Sequence, residues 1–326
     1  MPNWKALVTR VLPEAGMRLM REACALRVWE EDRPIPRLTL SDWARGMDGI
    51  ACLLSDPLDA EVIAAAGPGL KVIATMAVGY DNIDLPEATR RGIVVGNTPG
   101  VLTEATADLA WALLLALGRR VVEGDRLVRS GRWTGWGPTQ LVGADLAGRV
   151  LGIVGLGRIG KRMAHVSRNV FKRVIACDPY IIDGDFPAYV ERRSLALVFA
   201  ESNVVSLHVP LNAETRGMID AKVLAGANPG TFLVNTARGA VVDVDAAIKA
   251  LDAGGLAGLA LDVLPAEPVP AGSRLLNHPR VILTPHAAFF SVEAERELRR
   301  KAAQNIVTWL ATGRPDYVVV AGTRRP

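Results

Sequence analysis

The sequence predicts an α/β protein of two domains, each built on a largely parallel sheet. Three observations carry that expectation. The 326 residues exceed the size at which one hydrophobic core stops growing. Strand-like apolar runs alternate with amphipathic stretches in two separate series. A glycine-rich turn between a strand-like run and a helical one opens the second series.

From Lys5 to about Val95 the runs ALVTRV, LRVWE, GIACLL, KVIATM and GIVV alternate with stretches such as DAEVIAAA and LPEATRRG. Strands that alternate with helical patterns make βα units, which pair in parallel. Proline is tolerated in a helix's first turn, so Asp56-Pro57 and Leu85-Pro86 read as helix starts. Thr103 reads as the N-cap of a long helical pattern, interrupted at Gly118 and Gly124, that connects the domains. After the turn-rich GRWTGWGPTQLVGADLAG the alternation restarts at Val150 and runs to about Leu283. The closing VEAERELRRKAAQNIVTWLATG has apolar residues at helical spacing and is expected to pack on the first domain. That divides the chain into residues 1–101 with 290–326, and residues 102–289.

Half of the residues are apolar and 22% are charged, a globular composition. The net charge is +4, yet Arg90-Arg91, Arg119-Arg120 and Arg299-Arg300 fall in helical patterns, and no basic stripe carries interleaved aromatics. A nucleic-acid partner is not expected. Cys24, Cys52 and Cys177 are odd in number and lack metal-ligand spacing, which predicts buried free thiols in a reducing compartment and no metal site. The longest helical apolar run, Leu109 to Leu117, is too short to span a bilayer, and the N-terminus has no signal-peptide pattern. The expectation is a cytoplasmic protein without a membrane partner.

In RVLGIVGLGRIGKRMA, Gly155, Gly157 and Gly160 form GxGxxG at a strand-to-helix junction. The first glycine permits the tight turn, the second lets backbone approach a pyrophosphate, and the third lets helix and strand pack closely. The next strand-like run ends in Asp178, 18 residues beyond Gly160. A carboxylate there accepts hydrogen bonds from ribose hydroxyls and repels a 2′-phosphate. No arginine follows it directly, the next residues being Pro179 and Tyr180, so NAD(H) is expected over NADP(H).

Three ionisable residues follow strand-like runs in the second half: Arg238 in NTARG, Glu267 in LPAEP and His286 in TPHAAF, 29 and 19 residues apart. Each spacing is about one βα step, which brings such positions to one crevice beyond the strands' carboxyl ends. Carbonyl reduction needs a proton for the developing alkoxide, and a histidinium supplies one near neutral pH. A carboxylate beside it favours the charged imidazole and fixes its orientation. An arginine grips a substrate carboxylate with two parallel hydrogen bonds. The other histidines, His165, His208 and His278, lack such partners and read as structural.

These segments, with VGYDNIDL, GIVVGNTPGVLTEATADLA, GIVGLGRIG and ALDVLPAEP, resemble the D-isomer-specific 2-hydroxyacid dehydrogenases over nearly the whole chain. The resemblance implies two Rossmann-like doubly wound domains, one binding substrate and one binding NAD, an active site in their cleft, and a homodimer. It places Arg238, Glu267 and His286 in catalysis and the amides of Val78 and Gly79 at the substrate carboxylate. Asp262 would meet the nicotinamide amide, with Thr106, Arg158, Ile159, Val209, Pro210 and Thr236 as further cofactor contacts. The segment TPGVLTEATADLA and the pair Trp133 and Trp136 resemble glyoxylate/hydroxypyruvate reductases, in which the second tryptophan reaches the partner's active site. HAAFFS stands where those reductases have HIGSA. With CDPY and FLVNTARGAVVD it is closer to C-terminal-binding-protein corepressors and phosphoglycerate-dehydrogenase-like enzymes, and Phe289 and Phe290 would add bulk there. The implied activity is NADH-dependent reduction of a small 2-oxo acid, glyoxylate or hydroxypyruvate, to the D-2-hydroxy acid. The alternatives are a phosphoglycerate-dehydrogenase-like enzyme and an NAD-sensing binding protein; with little beyond TRRP outside two domains, the enzyme is favoured.

Overall fold

The structure, a computed structural model, describes residues 4–12, 14–313 and 317–319. The closing TRRP lies outside them. The chain forms two compact units, Met1–Leu102 with Ser291–Pro326, and Thr103–Phe290.

The first unit runs β1 (Trp4–Val8), α1 (Glu14–Ala23), β2 (Cys24–Val28), α2 (Arg37–Ala44), β3 (Gly49–Cys52), α3 (Ala60–Ala66), β4 (Val72–Thr75), α4 (Leu85–Arg90) and β5 (Val94–Gly96). All pairings are parallel, in the order β2-β1-β3-β4-β5. GIAC and VIAT are buried at every position, as strands covered on both faces must be. Leu7, Leu40, Ile50, Leu58, Ile63, Ile73 and Ile93 form the core cluster of this unit.

The second unit runs α5 (Thr103–Gly118), α6 (Val121–Arg129), β6 (Val150–Val154), α7 (Arg158–Ser167), β7 (Arg173–Cys177), β8 (Val190–Arg192), α8 (Leu195–Glu201), β9 (Val204–Leu207), α9 (Ala221–Ala225), β10 (Thr231–Asn235), α10 (Val244–Asp252), β11 (Leu256–Leu261) and β12 (Val281–Leu283). Its seven strands are parallel, in the order β12-β11-β10-β9-β6-β7-β8. The order reverses between β6 and β9, and at such a switch point an open α/β sheet leaves a crevice beyond its carboxyl ends. The last helix, α11 (Val292–Thr312), is capped by the Ser291 hydroxyl and packs on α1 and on β3, β4 and β5 of the first unit.

Several local readings need correction. The helix expected at Asp56-Pro57 starts at Ala60, because the Asp56 carboxylate is taken by the Thr9 hydroxyl and the Leu53 amide, and Asp59 caps instead. At Leu85-Pro86 the helix does start, with Asp84 accepting from the Glu87 amide at 2.9 Å. Gly124 lies inside α6; the break falls at Arg120, whose φ is 54°. Thr103 is the first helical residue rather than the cap, and both helices of the expected connector belong to the second unit. Cys24 and Cys52 are buried free thiols, whereas Cys177 is only partly covered.

The arginine pairs find carboxylates one helical turn away: Arg90 and Arg91 reach Glu87, Arg120 reaches Glu123, and Arg300 reaches Glu297. Among the described residues no helix is long and apolar enough to cross a membrane, and no group of three or more His, Cys, Asp or Glu could hold a metal ion.

Candidate active site

The glycine turn after β6 is shaped by contacts a side chain would prevent. Gly155 has φ 89°, and a Cβ there would lie 2.6 Å from the His208 carbonyl oxygen. A Cβ at Gly160 would meet the Gly155 carbonyl oxygen at 2.1 Å, so α7 can sit on the turn only without one. Gly157 precedes α7, and nothing lies within 4 Å of where its Cβ would point. Backbone is therefore open at the N-terminus of α7, where Arg158 and Ile159 form the first turn. Asp178, just after β7, accepts the Leu156 amide at 2.8 Å and the Tyr180 amide at 3.0 Å, which ties the carboxylate to the glycine turn.

Val209 and Pro210 follow β9. Thr236 follows β10 and is 7% exposed, with no hydrogen-bond partner for its hydroxyl among the described residues. Thr106 is buried in the first turns of α5. An open glycine turn at a ten-residue helix, an acidic residue at the neighbouring strand's end and an unsatisfied buried hydroxyl fit a dinucleotide.

Arg238, Glu267 and His286 follow β10, β11 and β12, three adjacent strands. His286 Nδ1 lies 2.8 Å from Glu267 Oε2, and the other Glu267 oxygen accepts the Leu264 amide at 2.8 Å. The side chains are 25% and 38% exposed, open enough to meet a ligand. Partial burial pushes the Glu267 carboxyl up, but the His286 hydrogen bond, the Leu264 amide and the His286 and Arg238 charges outweigh it and leave Glu267 below the usual carboxylate range. Glu267 thus stands as a carboxylate beside the imidazole and orients it, with Nε2 as the other ring nitrogen. Gly239 makes the meeting of these loops possible: a Cβ there would lie 2.0 Å from the Leu264 carbonyl carbon.

His286 has φ 54°, a left-handed conformation uncommon for a residue with a side chain. Its amide donates to the Asp262 carbonyl at 2.8 Å. The fully buried Asp262 carboxylate accepts the Thr284 hydroxyl at 2.6 Å and the Ala287 and Ala288 amides at 2.8 and 2.9 Å. Both its oxygens are thus bonded to the loop around His286, a role sequence reasoning missed. Asn235, also fully buried, was missed as well. The available signal was a polar residue closing an apolar strand run, as in FLVN and LALD.

Val78 and Gly79 lie in the first unit, after β4. The Val78 carbonyl accepts from the Asn97 carboxamide at 2.8 Å, and the Asn97 carbonyl accepts from Asn305 of α11 at 2.8 Å. Trp136, in the second unit, is 86% exposed. Phe289 stands edge-on to His286 with ring centroids 6.2 Å apart, and Phe290 lies 4.2 Å from Phe289. His208 is partly buried, with Nδ1 shielded from solvent and Nε2 2.9 Å from the Ser206 hydroxyl, and desolvation pushes its pKa down to about 4. His278 accepts the Arg280 amide and lies 3.4 Å from Asp252.

Residues 111–288 match the NAD-binding domain of the D-isomer specific 2-hydroxyacid dehydrogenases. The glyoxylate reductase of Korarchaeum cryptofilum is 45% identical over 308 residues, 94% of this chain and 92% of its own. This chain belongs to that family. Its fold matches the crystal structure of a glyoxylate reductase from Paecilomyes thermophila, with a TM-score of 0.88 at 30% identity over 98% of this chain and 99% of that one. It equally matches the NADPH-dependent glyoxylate/hydroxypyruvate reductase of Sinorhizobium meliloti, solved with NADP and malonate, with a TM-score of 0.87 at 31% identity over 99% of both chains. The protein is therefore an oxidoreductase acting on CH–OH groups with a nicotinamide cofactor, built on two Rossmann-like α/β domains.

Proposed function

We propose that this dehydrogenase reduces a small 2-oxo acid, glyoxylate or hydroxypyruvate, to its D-2-hydroxy acid with NADH. The observation that carries the reading is the 2.8 Å Glu267–His286 pair at the end of the sheet that bears the glycine turn, with Arg238 near enough to act on Glu267. In this reading the second unit holds the cofactor through Gly155, Gly157, Arg158, Ile159, Gly160 and Asp178, with Thr106, Val209, Pro210, Thr236 and Asp262 around it. Bound NADH supplies the hydride. Arg238 grips the substrate carboxylate, and His286 delivers a proton from Nε2 while Glu267 balances the imidazolium charge.

NADH is preferred because the Asp178 carboxylate favours ribose hydroxyls and repels a 2′-phosphate. The chain works as a homodimer, supported by exposed apolar residues Val121, Val128, Trp133, Trp136 and Val142 clustered in one stretch of sequence. In that dimer Trp136 reaches the partner's substrate site. Three thiols without a disulfide support a cytoplasmic location.

The test is oxidation of NADH and of NADPH with glyoxylate, hydroxypyruvate, pyruvate, 3-phosphohydroxypyruvate and an aromatic 2-oxo acid. Fast NADH turnover on the first two is expected. The Phe289–Phe290 pair beside His286 favours a second reading, a bulkier 2-oxo acid, which a preference for the aromatic or phosphorylated substrate would establish. Tight NADH binding without turnover of any of them would overturn both and leave an NAD-sensing protein.

A further inference from the structure

Arg238 stands in extended backbone, φ −148°, between the end of β10 and a short 3-10 turn, so no regular element fixes its direction. What fixes it is Asn235, the last residue of β10, whose side chain is wholly buried. Its Oδ1 accepts the Ala237 amide at 2.9 Å and its Nδ2 donates to the Arg238 carbonyl at 2.9 Å. The Arg238 guanidinium in turn donates through Nη1 to the Ala237 carbonyl at 2.8 Å. Asn235 thus clamps the peptides on either side of the one on which the guanidinium rests. The seam continues sideways: the Asn235 carbonyl accepts the Asp262 amide at 3.0 Å, and the Asp262 carbonyl accepts the His286 amide at 2.8 Å. One hydrogen-bonded path joins the loops of Arg238 and His286.

We propose that Asn235 is a positioning residue that aims Arg238 at the substrate carboxylate; the proposal rests on the carboxylate-binding reading of Arg238. The geometry demands a carboxamide, since one end must accept and the other donate. Aspartate would set an oxygen against the Arg238 carbonyl oxygen. Alanine would leave the Ala237 amide without the Asn235 oxygen and the Arg238 carbonyl with only the Val241 amide, at 3.2 Å, and the loop would shift to satisfy them. A shift of about 1 Å in a recognising group lowers rate by as much as about 100-fold.

A double-mutant cycle tests this, with steady-state kinetics at saturating NADH on the 2-oxo acid turned over fastest. Asn235→Ala is expected to raise the KM for that acid about 10- to 100-fold while the NADH Kd, read by fluorescence, changes less than about twofold. In an Arg238→Ala background the same substitution should change kcat/KM less than about threefold, because there is no guanidinium left to aim. Equal losses in both backgrounds would show a merely structural role and overturn the proposal. Asn235→Asp, of the same shape, carries the same cycle if the alanine variant does not fold. An Arg238→Ala variant with unchanged kcat/KM would overturn the carboxylate-binding reading and the proposal together; a damaging Arg238→Ala with additive Asn235 losses would overturn the proposal alone.

Discussion

The loops that close the first sheet are fastened by carboxamides and by the buried Asp56 carboxylate, whereas those of the second sheet also carry a partly exposed, paired glutamate and histidine. In the first unit Asn305 holds Asn97, Asn97 holds the Val78 carbonyl, and Asn82 holds the carbonyls of Leu53 and Asp56 at 3.0 and 2.8 Å. In the second, Asn235 and Asp262 fasten loops from which Arg238, Glu267 and His286 project. Backbone amides recognise a carboxylate without titrating. Proton delivery needs a group that is partly exposed and paired, and the Glu267–His286 pair has both properties. The contrast extends to the desolvated ionisable groups. Desolvation raises the Asp56 pKa in the first unit and lowers that of His208 in the second, so both favour their neutral forms.

The largest effect expected is on chemistry in the second unit. His286→Ala should lower kcat by about 10²- to 10⁴-fold with NADH affinity kept, measured by stopped-flow and binding titration; near-normal turnover would break the division between the units.

Acid should separate the units next. The folded pKa of His208, about 4, lies below its ordinary 6.5, so its contribution is intact above 6.5. As pH falls from 6.5 toward 4 the unfolded chain takes up a proton that the folded one does not, and stability drops by roughly 1.4 kcal/mol per pH unit. Asp56 has the opposite sign: its folded pKa is raised, so protonation on acidification relieves a burial penalty. Amide exchange, corrected for intrinsic rates, should therefore show β6 and β9 losing protection between pH 6.5 and 4.5 ahead of β1 and β3, and a His208→Asn variant should lose the difference.

Asp178→Ala should weaken NADH binding and narrow the gap to NADPH by about tenfold, the worth of one charge-assisted interaction. A wild type that prefers NADPH would refute that reading of the carboxylate. The smallest effect belongs to the first unit: Asn97→Ala should raise the 2-oxo acid KM about threefold, with kcat and NADH affinity unchanged. A loss of NADH affinity instead would place cofactor recognition in both units.

Much of the fold was legible because parallel strands buried on both faces read as short apolar runs, and because Gly155, Gly157 and Gly160 each serve a local need of the turn. The nearness of Glu267 and His286 was legible too, since both follow strands of one series by a single βα step. What stayed hidden are contacts set by distant partners. Asp56 looked like a helix start until the Thr9 hydroxyl, 47 residues away, claimed it. Asp262 read as a nicotinamide contact and Asn235 as an ordinary strand-end residue, because nothing in LALD or FLVN announces that an amide 26 residues on, or a carbonyl 3 residues on, will be waiting.

On the proposed proton-donor reading, the backbone of His286 sets durability and activity against each other. A side chain in the left-handed region costs about 1–2 kcal/mol that glycine would not incur. A His286→Gly protein should melt above His286→Ala while being equally inert. Selection for robustness alone would drift this position toward glycine, and a laboratory screen that scores only thermal tolerance would enrich catalytically dead variants at residue 286.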